Sequence, residues 1–264
     1  LGSHTVRLVP RSDGRQRLLD FSCKVSPEPA LQSCVLDATG NPVVRLWFAG
    51  TTTELGITTR SLTETLSPNA FDFIVDAPAT RLPVTYSAHE QTHLGAYSDP
   101  GKPSAAVIDL AVRLARKSRG NTLDFLNALN SHLFAEFETE IREHGPPQDP
   151  ARTLVRRRGA CRDLTVLFIS LCRTRGIAAR FVSGYQAHAQ PGRKRRYLHA
   201  WPEVYIPGGG WRGFDPSHGT AVADAHVALA AAETAAATMP IEGTFYGDVT
   251  ESRMDFELSI ETDD

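Results

Sequence analysis

The sequence predicts an α+β protein, with an all-β sandwich domain at residues 5–90 and a second domain at residues 91–264 in which helices pack on an antiparallel sheet. Three patterns support this prediction. In the first domain, apolar and polar residues alternate with a period of two between frequent turn residues. From residue 104 the apolar residues recur at steps of three and four, which is typical of helices. Strand-like segments resume after residue 177, and helices followed by a run of strands favour an α+β arrangement.

Short β-prone segments fill the first domain. Residues 19–25 alternate and end before Pro27, and residues 43–48 follow a cluster of turn residues. Further short strands are predicted at 54–59, 61–66 and 71–75. Short strands with regular turns are typical of an antiparallel sandwich. Residues 1–4 resemble a remnant of cloning and are left out of this prediction.

A linker and four helices are predicted next. Residues 86–103 contain two glycines and two prolines, which favours a linker. Ser104 and Thr122 are suitable N-caps for two helices, and Asp149 precedes a short helix that ends near Arg158. Cys161 begins the fourth helix, whose buried face is predicted to carry Leu164, Leu167, Phe168, Leu171 and Cys172.

Strands are predicted at 178–185, 197–206 and 211–215, with a turn at 207–210. The alanine-rich stretch 221–237 has helical propensity and is expected to form a helix. Two last strands are expected at 243–249 and 254–260. His188, His218 and His226 fall in or near loops, where solvated side chains are expected.

Composition excludes several classes of function. The 28 Lys and Arg residues nearly balance the 30 Asp and Glu residues, so charge gives no reason to expect nucleic-acid or membrane binding. No run has the length of a membrane span and no signal-peptide pattern is present, so a cytoplasmic protein is expected. The four scattered cysteines include no CxxC pair, so no zinc site built on cysteines is expected. No metal or organic cofactor is predicted. The basic run 193–196 is hypothesised to attract acidic substrates, and no aromatic residue interleaves it as nucleic-acid binding would require.

Three residues predict nucleophilic chemistry. Cys161 lies in the first turn of a helix, where unpaired N–H groups and the helix dipole favour a thiolate, although a buried core cysteine is the alternative. His199 lies in mid-strand between apolar neighbours, and Asp215 ends the next strand of the same hairpin. A helix start that faces this hairpin would bring nucleophile, base and orienting carboxylate together.

Four motifs stand in one order along the chain: Gly-Ala-Cys-Arg-Asp at 159–163, Arg-Phe-Val-Ser-Gly-Tyr at 180–185, His-Ala-Trp-Pro-Glu-Val-Tyr at 199–205 and Gly-Trp-Arg-Gly-Phe-Asp-Pro at 210–216. The series resembles that of bacterial transglutaminase-like proteins, which belong to the papain-like superfamily. The resemblance covers residues 104–219 and implies a papain-like transglutaminase core preceded by a β-sandwich. It also implies that Cys161 is the nucleophile, His199 the general base and acid, and Asp215 the residue that orients the imidazole.

The same resemblance implies a thioester acyl-enzyme, formed from a peptide bond or a glutamine side chain of a peptide or protein substrate. Hydrolysis, as in a cysteine protease or amidase, is placed ahead of transfer to an amine, as in a protein-glutamine transglutaminase. A non-catalytic peptide-binding module is the third possibility. The sequence gives neither the substrate nor the oligomeric state.

Two departures from the family pattern limit the resemblance. The family's Gly-Arg-Asp-Tyr-like stretch is replaced by Ala231-Ala232-Glu233-Thr234-Ala235, and no tryptophan precedes the cysteine within the core as a second oxyanion donor. Trp201 and Tyr185 are candidates for lining the acyl-donor groove, with core packing as the alternative.

Overall fold

The structure is a computed structural model that describes residues 1–187, 197–247 and 253–263. The basic run 193–196, the expected loop histidine His188 and part of the strand expected at 243–249 lie outside these ranges. The described residues form the predicted mixture of helices and antiparallel sheets, which confirms the α+β class.

Five α-helices are present in the described ranges: α1 (Ala88–Ser98), α2 (Ala105–Lys117), α3 (Thr122–Glu136), α4 (Pro150–Arg156) and α5 (Cys161–Arg173). Helix α1 contradicts the predicted linker. Its start is fixed by a capping box in which Ser87 and Glu90 each accept a hydrogen bond from the other's backbone N–H. Helices α2 and α4 begin after the predicted caps Ser104 and Asp149, whereas α3 is capped by Asn121 rather than by Thr122.

Thirteen strands occur in the described ranges, three of them only two residues long: β1 (His4–Val6), β2 (Gln16–Ser26), β3 (Leu31–Leu36), β4 (Pro42–Trp47), β5 (Gly56–Thr65), β6 (Glu138–Thr139), β7 (Arg158–Gly159), β8 (Ala179–Gln186), β9 (His199–Ile206), β10 (Gly210–Asp215), β11 (Thr220–Ala221), β12 (His226–Ala232) and β13 (Ile241–Gly243).

The central sheet has the antiparallel strand order β11-β10-β9-β8-β12. Helix α5 packs against β8 and β9 through its predicted apolar face, which is buried. On the same side, its Phe168 ring stacks on Phe214 of β10 with centroids 5.6 Å apart. This packing places the N-terminus of α5 near the start of β9 and the end of β10. The helix that carries Cys161 and the strands that carry His199 and Asp215 are therefore in contact, as the papain-like arrangement predicts.

The N-terminal strands form two small sheets, β13-β1-β4-β3 and β2-β5, that share one apolar cluster around Val6, Val44 and Leu46. This is the predicted sandwich. Residues 1–4 were wrongly left out, since His4 begins β1 and pairs with both neighbouring strands. The two short strands predicted within 54–66 are one strand, β5, while 71–75 and 254–260 are not strands. The boundary at residue 90 stays a prediction, and β13 joins the sheet of β1 although it follows the second domain's strands.

The alanine-rich stretch corrects another expectation, because residues 226–232 form strand β12 rather than a helix. The small side chains of this strand are buried, and its outer edge is occupied by two amide side chains. Gln16 bonds to both the N–H and the C=O of Ala228, and Asn41 does the same at Ala231. Tertiary hydrogen bonding and burial therefore override the helical propensity of alanine.

Candidate active site

Cys161 is the first residue of α5 and its side chain is partly exposed. The amide groups in the first turn of a helix have no acceptor within the helix, so the Cys161 N–H is available near its own sulfur. A glycine is required two residues before Cys161, because a Cβ on Gly159 would lie 2.8 Å from Cβ of Asp163. The missing side chain lets Asp163 fold back over the helix start.

Asp163 is fully buried and organises this turn. Its carboxylate accepts hydrogen bonds from the backbone N–H of Ala160 at 2.8 Å, from the N–H and side chain of Gln148 at 2.7 and 2.9 Å, and from Arg142 at 2.6 Å. Burial would raise the pKa of this carboxyl, but the hydrogen bonds outweigh it and hold the pKa below its ordinary value. The ionised carboxylate ties the loop before α4 to the turn that presents Cys161.

His199 begins strand β9, opposite Gly184 of β8. Its Nε2 lies 2.7 Å from Oδ2 of Asp215, at the end of the neighbouring strand. The His199 ring also faces the Cys161 side chain, and its hydrogen bond and positive charge act on that thiol. The structure thus brings the three predicted residues Cys161, His199 and Asp215 into one chain of hydrogen bonds.

The electrostatics of the three hydrogen-bonded residues favour a negative charge on Cys161 and a positive charge on His199. Burial opposes a thiolate, but the hydrogen bond and the positive charge of His199 outweigh it, so the pKa of Cys161 is lowered. Burial likewise opposes an imidazolium, but the charge and hydrogen bond of Asp215 raise the pKa of His199 to about 10. Both pKa shifts favour the same charge state, a Cys161 thiolate beside a cationic His199.

Two histidines that were expected to be solvated also reach Asp215. His218 Nδ1 lies 2.8 Å and His226 Nε2 3.0 Å from the same Oδ2, and His226 is buried. The only sequence signal was the position of His218 three residues after Asp215, within one turn. Nothing local to His226 indicates the contact, because β12 reaches the site through tertiary pairing with β8.

Two known protein families match separate stretches of the chain. Residues 108–216, which include all three residues of the hydrogen-bonded chain, match the transglutaminase-like superfamily. Residues 1–64 match the bacterial transglutaminase-like N-terminal region. Residues 108–216 therefore form a transglutaminase-like core, preceded by a stretch similar to the N-terminal region of bacterial transglutaminase-like proteins.

Relatives of this transglutaminase-like chain extend over nearly its whole length. An uncharacterized protein of Mycobacterium tuberculosis is 25% identical over 267 residues, which cover 96% of this chain and 84% of that protein. One from Mycobacterium leprae is 26% identical over 265 residues, covering 91% of this chain and 85% of that protein.

Solved structures similar to the chain include one that shares its fold. A proposed cysteine protease from Cytophaga hutchinsonii has a TM-score of 0.68 and 21% identity, covering 96% of this chain and 88% of that chain. The periplasmic domain of TgpA from Pseudomonas aeruginosa has a TM-score of 0.41 and 17% identity, covering 79% and 95% of the two chains.

The two aromatic candidates of the transglutaminase-like site differ in placement. Trp201 is only 1% exposed and packs beneath His199 and His226, with ring centroids 6.1 and 5.2 Å away, which favours the core-packing alternative over a position in the groove. Its ring fits there because Gly184 has no side chain: a Cβ would lie 2.5 Å from the indole. Tyr185, at the end of β8, is partly exposed, and its groove-lining role stays a prediction.

In the described part of the chain, His199, Asp215 and His218 form the one cluster with ligand atoms close enough for a metal ion, within 4.8 Å of one another. Two ligands of a tetrahedral zinc ion are about 3.3 Å apart at ordinary bond lengths. The observed N···O distances of 2.7 and 2.8 Å are instead those of hydrogen bonds. The spacing of these three residues therefore suits hydrogen bonds better than coordination of a metal ion.

None of the helices in residues 1–187, 197–247 and 253–263 combines the length and apolar character of a membrane span.

Proposed function

We propose that this transglutaminase-like protein is a cysteine-dependent acyl-transfer enzyme that hydrolyses peptide or glutamine amides through a thioester. One observation carries the proposal: His199 joins the Cys161 thiol at the start of α5 to the buried Asp215 carboxylate. A nucleophile, a base and an orienting group in hydrogen-bond contact are the requirements for this chemistry.

The first half-reaction acylates Cys161. Its thiolate sulfur attacks the carbonyl carbon of the substrate amide, and negative charge develops on the carbonyl oxygen. The N–H groups at the start of α5 are suited to stabilise that charge, since loss of one such donor in other enzymes costs about 10²–10³ in rate. The C–N bond then breaks, the new C–S bond remains as a thioester, and a proton of His199 moves to the departing nitrogen.

The second half-reaction releases the acyl group. Neutral His199 takes a proton from water, whose oxygen attacks the thioester carbon. The C–S bond breaks, which regenerates the thiolate and its imidazolium partner together with a carboxylic acid. Cys161 is partly exposed, so water can reach a thioester formed there. A primary amine in place of water would give transamidation by the same steps.

Alkylation of Cys161 by iodoacetamide across a range of pH, measured by mass spectrometry of its peptide, tests the nucleophile. Exposed Cys34, in β3, serves as an internal standard in the same digest. We expect Cys161 to react at a pH well below that of an ordinary thiol, and His199→Ala to remove this reactivity. An ordinary profile that is indifferent to His199→Ala would favour the peptide-binding module.

A glutamine-containing peptide library, incubated with and without a primary amine, tests the acceptor. We expect cleaved or deamidated products that need no amine and that Cys161→Ala abolishes. Products that form mainly as amine adducts would instead identify a transglutaminase.

A further inference from the structure

Asp215 receives more donors than a nucleophile–base–carboxylate series requires. Its Oδ2 accepts from His199, His218 and His226, at 2.7, 2.8 and 3.0 Å, and its Oδ1 accepts from the Ser217 N–H at 3.0 Å. Each carboxylate oxygen offers about two lone-pair sites, so three imidazoles converge on an Oδ2 that can fully accommodate about two donors. The reaction uses only the bond to His199, which leaves two imidazoles to be explained.

We propose that His226, assisted by His218, is a positioning residue that holds the Asp215 carboxylate in line with His199 Nε2. The inference rests on the function proposed above and adds residues that act through Asp215 rather than on the substrate.

The three imidazoles come from separate parts of the chain. His199 lies on β9, His218 in the turn after β10, and His226 at the start of β12. Because the donors approach Asp215 from different elements, rotation of the carboxylate would break several hydrogen bonds at once. Asp215 has no exposure to solvent, so these donors take the place of water.

His226 provides this support without a second positive charge. Its Nε2–H points at Asp215, and its Nδ1 is buried with no partner among the residues that the structure describes. A protonated Nδ1 would therefore be a buried unpaired donor, which is costly. The titratable groups that face His226 are Asp215, His199 and His218, and burial lowers the pKa of His226 despite the attraction of Asp215. His199 thus remains the cation that pairs with the carboxylate.

The Trp201 ring completes the arrangement. It meets His226 edge to face at 5.2 Å and lies against His199 at 6.1 Å, in a pocket closed by Val182, Val222 and Ala228. Because Trp201 is almost fully buried, it restricts both imidazoles to the planes in which they reach Asp215.

The test compares two replacements of His226 by the pH profile of iodoacetamide alkylation at Cys161 in the full chain. His226→Phe keeps a ring of similar size but removes the donor, whereas the side-chain amide of His226→Gln can reach Asp215 as Nε2 does. His226→Phe loses one charge-assisted hydrogen bond to Asp215. We therefore expect the alkaline limb of the profile, which is its high-pH part and is set by the pKa of His199, to move toward neutral pH. We also expect alkylation at neutral pH to slow about tenfold. His226→Gln should restore both.

His4→Phe is a matched control, because His4 is also buried but lies in β1 of the N-terminal sandwich, and it should leave the profile unchanged. A folded His226→Phe with the wild-type alkaline limb would overturn the inference. If that variant does not fold, His218→Leu compared with His218→Asn decides, since this ring is partly exposed; an unchanged limb in His218→Leu again overturns it. A wild-type profile that does not depend on His199 would instead refute the proposed function itself.

Discussion

Asp163 accepts a hydrogen bond from the backbone N–H of Ala160 at 2.8 Å and so closes the turn that holds Cys161 at the start of α5. The same carboxylate pairs with Arg142 at 2.6 Å, and Asp163 is fully buried. The helix start is therefore fixed by a buried charge rather than by a side-chain cap on Ala160. This explains why an aspartate follows two residues after the cysteine.

Replacement of Asp163 by asparagine should reduce the free energy of unfolding by about 3 kcal/mol, because it leaves the Arg142 guanidinium without its buried partner. Urea unfolding would measure the loss. Asp124→Asn is a control, since Asp124 lies in the first turn of α3 and is exposed. A loss no larger than that of the control would show that the carboxylate does not stabilise the helix start.

Stability should depend on pH through the His199–Asp215 pair. The pKa of His199 is raised from 6.5 to about 10, so the stabilisation by its cation is complete below pH 6.5 and declines as the pH rises toward 10. The pKa of Asp215 is held well below 3.8, so its contribution is present above pH 3.8 and declines as the pH falls below that value.

Asp215→Asn removes this pair, and its stability deficit should therefore be largest between about pH 4 and 6.5 and shrink on both sides. Chemical unfolding of wild type and variant at a series of pH values would measure it, with exposed Asp20→Asn as the control. A deficit that stays constant from pH 5 to pH 10 would contradict the pairing of charges.

The elements that carry Cys161, His199 and Asp215 could be predicted because strong local signals mark them. An apolar helical stripe begins at the cysteine, and a glycine-rich turn joins the strands of the other two residues. The structure brings these residues together, and their catalytic roles stay a proposal. Sequence reasoning failed where the deciding interactions lie far apart in the chain: alanines with helical propensity form β12, and His226 reaches Asp215 only through that strand.

Helix α1 was missed for a different reason. Its only buried side chain in the helix is Leu94, so the sequence offers no apolar stripe, and Gly95 and Pro100 suggested a linker. The Ser87 and Glu90 capping box was the available signal. A capping pattern without amphipathic periodicity is weak evidence in a sequence, because most helical stability comes from tertiary packing.

The edge of β12 depends on two amide side chains from the N-terminal region. Gln16 and Asn41 each satisfy one backbone N–H and one C=O of the strand, at Ala228 and Ala231, and both are buried. Gln16→Ala or Asn41→Ala should each reduce the free energy of unfolding by about 1–3 kcal/mol, because the buried N–H of Ala228 or Ala231 loses its side-chain acceptor.

Hydrogen exchange would locate this effect, with faster exchange expected at the amides of Ala228 and Ala231 in the respective variants. Gln32→Ala removes an exposed amide on β3 and should change neither stability nor exchange at β12. Unchanged exchange at both alanines would show that the amide side chains do not hold this edge.

Gly184 lies where β8, β12 and Trp201 meet beneath His199. A Cβ at this position would collide with the backbone oxygen of Val227 and lie 2.5 Å from the Trp201 ring. Gly184→Ala must therefore displace a strand or a buried indole, and overpacking of this kind costs about 1–3 kcal/mol. Because Gly184 pairs with His199, the displacement should also weaken the low-pH alkylation of Cys161.

Gly14→Ala, with open space around it, should change stability by less than about 0.5 kcal/mol. Calorimetry and peptide-resolved alkylation would measure both effects, and a destabilised Gly184→Ala with wild-type alkylation would show that the Trp201 packing supports the fold but not the reactivity of the thiol.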